Sequence, residues 1–370
     1  MIKESIKSKN TMQNKNNSSS HHHTALDGLF RYADLLGLSD IHIKFDPETG
    51  LKAIVVIHNL RLGPAIGGCR MVPYANTDAA LEDAMRLAYM MSYKAAISNL
   101  PHGGAKAVLI QPKIVRDRKA YFTAFGEFVN ELGGSYITAV DSGTSTEDMD
   151  IIATRTPFVT CTTASGNGGD PSPQTSLGVC RGIEAAVKFK LDKDTLEGVH
   201  IAIQGAGHVG YKLAKEVIAR GARVTMCDIN ERTLQRVADE LKINICSPEA
   251  IYDLEADVFA PCALGAVLNL YTIKRLRVPI VAGSANNQLA HQHHGVLLHE
   301  RGILYAPDYV INAGGLIYVS AIYDHADSKK AEQQVKDIYH TSMAIFERAK
   351  RENLSTSEVA TMMALEKLYG

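Results

Sequence analysis

No stretch of this sequence stays apolar for the roughly 20 residues that a bilayer span takes, and no signal peptide opens it. Neither sign of charge dominates: 39 Lys and Arg stand against 40 Asp and Glu, for a net charge of −1. The basic surface that nucleic acid or an anionic membrane would require is therefore missing. Cysteine pairs at metal or redox spacing are missing too. Cys69, Cys161, Cys180, Cys227, Cys246 and Cys262 are scattered, which is the pattern of reduced thiols in a cytoplasm. Tryptophan is absent altogether.

What is present is an ordinary globular composition, 46% hydrophobic and 21% charged, over 370 residues. That length exceeds one ordinary core and suits two domains. Residues 1–24 depart from it. They are rich in Lys, Asn and Ser, end in His21-His22-His23 and carry no apolar periodicity, so a disordered leader is expected there.

The first domain is expected over residues 25–171. It begins with a helix at about Thr24–Leu36, capped by Thr24, and a strand at Leu51–Ile57. Gly63-Pro64-Ala65-Ile66-Gly67-Gly68-Cys69-Arg70 reads as a turn-rich segment that brings bare backbone near a ligand or merely joins two strands. Thr77 and Asp78 supply a cap and a negative charge for the next helix. Its apolar face is Leu81, Met85, Ala88, Met91 and Ala95, and Lys94 lies late in it. Lys106 follows Gly103-Gly104-Ala105 and opens the apolar run Val108-Leu109-Ile110. A lone lysine in either place would reach out to water. Two together point to a dry pocket, where burial and a neighbouring cation lower an ammonium pKa and free an amine for chemistry. A helix at Lys119–Leu132 stops at Gly133-Gly134. The strand Tyr136–Asp141 ends in an acid against Ser142-Gly143-Thr144, a place for chemistry or for a turn cap. Glu147, Asp148 and Asp150 then open a further helix.

Ala164–Pro173, a cluster of Ser, Gly, Asn and Pro, reads as the hinge to a second domain over residues 172–327. Strands are expected at Val199–Gln204, Ala222–Cys227, Asn244–Cys246, Asp257–Pro261, Ile280–Ala282 and Ile303–Ala306. Helical patterns such as Gly210–Arg220 and Asn230–Leu241 lie between most of them. This alternation predicts a doubly wound parallel sheet. Gly205-Ala206-Gly207-His208-Val209-Gly210 sits between a strand and a helix, and Asp228 ends the following strand. That context is a dinucleotide site: the helix N-terminus receives the pyrophosphate, and Asp228 accepts from the adenosine ribose and repels a 2′-phosphate. NAD is the expected cofactor. Pro261–Gly265, Ala282–Asn287 and Asn312–Gly315 would gather along the carboxyl edge of the same sheet. Asn286, Asn287 and Asn312 are candidates there for nicotinamide or substrate contacts, with helix caps as the alternative. His291, His293 and His294 stand at exposed-loop spacing, and no metal is assigned. Helices at Ser328–Lys350 and Ser355–Leu368, joined at Asn353, close residues 328–370 and are expected to pack back on the first domain.

Taken together, Gly63–Met71, Met91–Lys106, Asp141–Asp150, Ala260–Gly265, Ala282–Leu289 and Ala306–Gly315 make the chain resemble the Glu/Leu/Phe/Val amino-acid dehydrogenases from about residue 27 onward. The resemblance implies a Rossmann-type doubly wound NAD domain plus a separate α/β substrate and oligomerisation domain, with a cleft between them. It also implies oxidation of an L-amino acid to a 2-oxo acid and ammonium by a homo-oligomer. Lys94, with the backbone at Gly67 and Gly68, would hold the substrate carboxylate. Lys106 would be the low-pKa general base on the attacking water, and Asp141 the proton shuttle. Asn286, Asn287 and Asn312 would line the nicotinamide and the substrate amino group. Departures at Asn99–His102, Ala107, Ala206 and His208 remove no catalytic group and bear on substrate choice. An aliphatic, leucine-type substrate is expected, selected by Ile66 and by the helix near Thr341 and Ala344. An aromatic substrate is the alternative, glutamate lacks a second cation, and an NAD-sensing protein without catalysis would have been free to lose Lys106 or Asp141.

Overall fold

The computed structural model describes residues 25–165, 169–263, 265–325 and 328–370. The expected leader 1–24, including Thr24 and His21–His23, lies outside the described residues. So do Gly166–Gly168 of the expected hinge and Leu264 of the Pro261–Gly265 segment. The chain divides after Gly37. Helix α1 (Ala25–Leu36) belongs to the unit before that point, and the unit from Leu38 to Gly370 contains two β-sheets.

The first sheet is built from β1 (Asp40–Asp46), β2 (Leu51–Asn59), β3 (Ala65–Val72), β4 (Gly103–Ile110) and β5 (Tyr136–Val140), in the order β1-β2-β4-β3-β5. β2 runs antiparallel to β1 and β4, while β3 runs parallel to both of its neighbours. The helices of this layer are α2 (Thr77–Ile97), α3 (Arg118–Glu131) and α4 (Thr146–Ala153). The segment expected as a turn is a turn only at Gly63-Pro64, and from Ala65 it is the strand between β4 and β5. Gly67 is demanded there by its neighbour, because a Cβ would collide with the Ala105 carbonyl. Asn76, not Thr77, caps α2, its side chain accepting from Ala79 N–H at 2.8 Å. Gly104 sits directly beneath this helix, and a side chain there would strike the backbone and hydroxyl of Ser92. Close approach of α2 to β4 brings Lys94 and Lys106 to one place.

The second sheet follows α5 (Ser172–Leu191), a helix that the composition of its first turn conceals. Its six strands alternate with helices, as expected: β6 (His200–Gln204), α6 (His208–Ile218), β7 (Arg223–Cys227), α7 (Glu231–Leu241), β8 (Asn244–Ile245), β9 (Val258–Pro261), α8 (Leu270–Arg275), β10 (Ile280–Val281), α9 (His293–Glu300) and β11 (Leu304–Tyr305). All are parallel, in the order β11-β10-β9-β6-β7-β8. The winding reverses between β6 and β9, so a crevice is expected past the carboxyl ends of those two strands. The fold is a two-domain α/β architecture with a Rossmann-type sheet.

Beyond β11 come α10 (Asp308–Ile311), α11 (Gly314–Tyr323), α12 (Ser328–Lys336), α13 (Ile338–Glu352) and α14 (Thr356–Tyr369). The single helix expected at Ser328–Lys350 is two, parted at Asp337. Asn353 joins the last two in the left-handed conformation, with φ 52°. α14 returns to the first sheet, where Lys367 donates to Ile97 O at 3.3 Å and to Asn99 Oδ1 at 2.6 Å. Among the described residues no helix is long and apolar enough to cross a membrane.

Candidate active site

Three strands set the first half of the site. In the parallel ladders Ile66 lies opposite Gly104 and Gly68 opposite Ala139, which places Lys106 and Asp141 on the same face of the sheet, on either side of β3. Their side chains meet across Gly68, and the Lys106 ammonium forms a contact ion pair with Asp141 Oδ2. The strip between them has to be bare. A Cβ on Gly68 would stand 2.7 Å from Val140 O and 2.9 Å from Asp141 Cβ. Asp141 Oδ1 accepts from Ser142 N–H at 2.6 Å, and Arg70 Nε approaches Oδ2 at 3.7 Å. Burial alone would raise this carboxyl. The cations of Lys106 and Arg70 overrule it and hold Asp141 well below the usual carboxylate range.

Lys94 stands half-buried in the last turn of α2, where its ammonium also complements the helix dipole. Removal from water pushes that ammonium down to about 8, against the pull of buried Asp308 and with a further push from Lys106. Lys106 is engaged in its ion pair with Asp141. Lys94 Nζ donates to Asn286 Oδ1 at 3.3 Å, and Asn312 Nδ2 donates to the same oxygen at 2.8 Å and to Ser284 O at 3.1 Å. Buried Asn312 keeps its own Oδ1 without a partner among the described residues. Asn287 takes a left-handed backbone, φ 52°, and its carbonyl accepts from Ala266 N–H at 2.7 Å. Asp308 accepts from the N–H groups of Gln288 and Tyr309, and burial raises its carboxyl. A buried amide oxygen left without a partner could accept from a donor on a polar ligand.

The glycine turn after β6 completes the second half, and two of its three glycines have a reason in the fold. Gly205 has φ 109°, Gly210 packs where a side chain would strike Gly205 O, and a Cβ on Gly207 would meet no atom within 4 Å. α6 starts at His208 with no side-chain cap and no acid in its first turn, so its N–H groups face that opening. Ala206 and Val209 complete the turn. Asp228 folds back on the loop, accepting from Ala206 N–H and Asn230 N–H, each at 2.7 Å. These residues fit a dinucleotide.

Comparison with known proteins gives the family. A family model described as "Glu/Leu/Phe/Val dehydrogenase, dimerisation domain" matches residues 38–157, and one described as "Glutamate/Leucine/Phenylalanine/Valine dehydrogenase" matches residues 225–369. The chain belongs to the Glu/Leu/Phe/Val dehydrogenase family. Leucine dehydrogenase of Thermoactinomyces intermedius is 45% identical over 341 residues, 92% of this chain and 93% of that protein. Phenylalanine dehydrogenase of Bacillus thermotolerans is 41% identical over 87% of this chain and 86% of that protein. The crystal structure of L-tryptophan dehydrogenase from Nostoc punctiforme superposes with a TM-score of 0.79 at 39% identity, over 92% of this chain and 98% of that one. This Glu/Leu/Phe/Val family member is an amino-acid dehydrogenase of the leucine, phenylalanine and tryptophan type.

The positions expected to select the side chain lie in different surroundings. Ile66 is wholly buried in the core of the first sheet. Ala344 is exposed, and Thr341 lines a cavity of about 200 Å³ together with Ile97, Val310, Ile317 and Ile338. Lys94, Lys106 and Asp141 are not among the residues that line it. His294 Nδ1 accepts from His291 N–H at 3.1 Å, and among the described residues no group of three His, Cys, Asp or Glu is placed to hold a metal ion. Arg70 and Asp308 were not anticipated. Asp308 carried a usable signal, an acid just past a strand end, as Asp141 does.

Gly68→Ala should part Lys106 from Asp141 and lower kcat about 100-fold or more, since misplacement by an ångström can cost that much. Far-ultraviolet dichroism should be unchanged. Wild-type turnover in this variant would show that the bare strip is dispensable.

Proposed function

We propose that the enzyme catalyses the reversible, NAD-dependent oxidative deamination of an aliphatic, branched-chain L-amino acid, with L-leucine as the preferred substrate. An amino acid, NAD⁺ and water give the 2-oxo acid, ammonium, NADH and a proton. The observation that carries this reading is the convergence of Lys94 from α2, Lys106 from β4 and Asp141 from the end of β5 on one place beside Asn286 and Asn312. One cation serves the substrate carboxylate, and the other, paired with an anion, serves the reacting carbon.

In this reading Lys94 and the backbone at Gly67 and Gly68 bind the carboxylate. Lys106, as the neutral amine once its ammonium has released a proton to solvent, takes a proton from the water that attacks the iminium carbon, and in reverse, as the ammonium, it polarises the carbonyl. Asp141 is read as the group that exchanges protons with the substrate amine. Its two cations favour the anionic form, so it also holds Lys106 in place between turnovers. Gly205, Ala206, Gly207, His208, Val209 and Gly210 would receive the coenzyme pyrophosphate and Asp228 its ribose, with Asn286 and Asn287 beside the nicotinamide. When bound, the coenzyme supplies the hydride acceptor. Self-association into a homo-oligomer fits β1, an edge strand with Ile43 and Phe45 exposed, inside the segment matched by the dimerisation model. A cytoplasmic location suits six free thiols.

The test is NADH formation with leucine, isoleucine, valine, phenylalanine, tryptophan and glutamate, each with NAD and with NADP. Leucine with NAD should give the highest kcat/KM. Isoleucine and valine should follow within about 10- to 200-fold, the worth of a methylene in an apolar pocket. A higher kcat/KM with phenylalanine or tryptophan would assign the enzyme to the aromatic branch, and equal kinetics with both coenzymes would remove the role given to Asp228.

Lys94 gives a second test. Its ammonium is charged below about pH 8 and neutral above. Affinity of the free enzyme for 4-methyl-2-oxopentanoate should therefore be flat below that pH and fall by about tenfold per unit above it. Lys94→Gln should bind weakly at every pH, with KM raised more than kcat is lowered. A pH-independent affinity in the wild type would contradict the assignment.

A further inference from the structure

Arg70 lies on β3 two residues beyond Gly68, and its guanidinium does two things at once. Nη1 donates to Asp83 Oδ2 on α2 at 3.1 Å, and the same carboxylate is held by the Tyr74 hydroxyl at 2.7 Å and by Arg86 at 3.5 Å. A tie between strand and helix is thereby complete. Nε is left over. It is buried, it has no hydrogen-bond partner among the described residues, and it points toward Asp141 Oδ2 at 3.7 Å, just beyond bonding range. Oδ2 is the oxygen that Lys106 occupies, whereas Oδ1 is fixed by Ser142 N–H.

The site reading proposed above, on which this inference rests, requires Lys106 Nζ to leave Asp141 when it acts on the substrate. Asp141 Oδ2 would then be a buried anion stripped of its partner, which is costly. Arg70 cannot swing to meet it, because Asp83 holds the other end of the fork. The carboxylate can close the remaining gap by a small rotation. We infer that Arg70 is a positioning residue that receives Asp141 each time Lys106 is released to the substrate, so that the ion pair opens without leaving an uncompensated charge. A purely structural arginine would be satisfied by Asp83 and would gain nothing from a buried, unused Nε aimed at the reacting carboxylate.

Arg70→Met, Arg70→Lys and Asp83→Asn test this, each measured for kcat, for KM with leucine, and for NADH binding by fluorescence. Arg70→Met should lose about 10- to 100-fold in kcat, the worth of one charge-assisted hydrogen bond. KM and NADH affinity should stay within about twofold. Arg70→Lys should recover part of kcat, since one ammonium can serve only one of the two carboxylates at a time. Asp83→Asn should fall in between, because the fork keeps Nε but loses its anchor. Wild-type kcat in Arg70→Met overturns the inference, as does a parallel loss of kcat, leucine binding and NADH binding in Arg70→Lys. Should Arg70→Met fail to fold, wild-type kcat in both other variants overturns it. Lys106→Ala is the control for the underlying reading: near-normal kcat there would sink the site assignment whatever the Arg70 variants do.

Discussion

The structure turns on one ion pair that has to cross an intervening strand. Lys106 and Asp141 are carried by strands on either side of β3, and neighbouring strands lie about 4.8 Å apart, so the pair must pass over β3 to meet. It can do so because residue 68 has no side chain. The rest follows from that strip: Gly67 lets Ala105 close in, Gly104 lets α2 settle on β4, and α2 delivers Lys94 to the same spot. Three glycines thus set where three charged groups stand.

Charge is balanced locally around this spot. Two lysines and an arginine face Asp141, Asp308 and Asp83, and most of them are wholly or partly buried. Desolvation acts on Asp141, Asp308, Lys94 and Arg70, but its result differs with company. Asp141, flanked by two cations, stays anionic far below neutrality, while Asp308 is raised by burial. Lys94, whose ammonium donates to the Asn286 amide oxygen, sits close to the pH where it changes charge. The two lysines are therefore suited to different tasks by their partners rather than by their type.

Much of this was legible in the chain itself. Short β-branched runs punctuated by glycine located the second sheet to within a residue or two, because strand and turn chemistry there act locally. Lys94, Lys106 and Asp141 stood out as charges placed where packing would prefer none. Other features were concealed for physical reasons. Gly67 and Gly68 imitate a turn, yet their bareness answers to Ala105 and Asp141 on neighbouring strands. α11 is apolar on every side, so it offers no amphipathic period to find. Arg70 looks like a surface arginine until folding brings Asp83 and Asp141 to its two ends.

The return of α14 to α2 has a consequence in time. Lys367 caps the carbonyl end of the helix that bears Lys94 across 270 sequence positions, and Asn59 of β2 finds the Tyr369 hydroxyl across 310. Domains generally fold as they leave the ribosome, early residues first. Here the early sheet must wait, with the end of α2 still open, until the entire coenzyme domain has been made. A nascent chain can bury much of its first core, but it does not fix the end of the helix that bears Lys94 until the final helix docks. Such distant closures also slow folding, because the loop must be ordered before its contacts are gained.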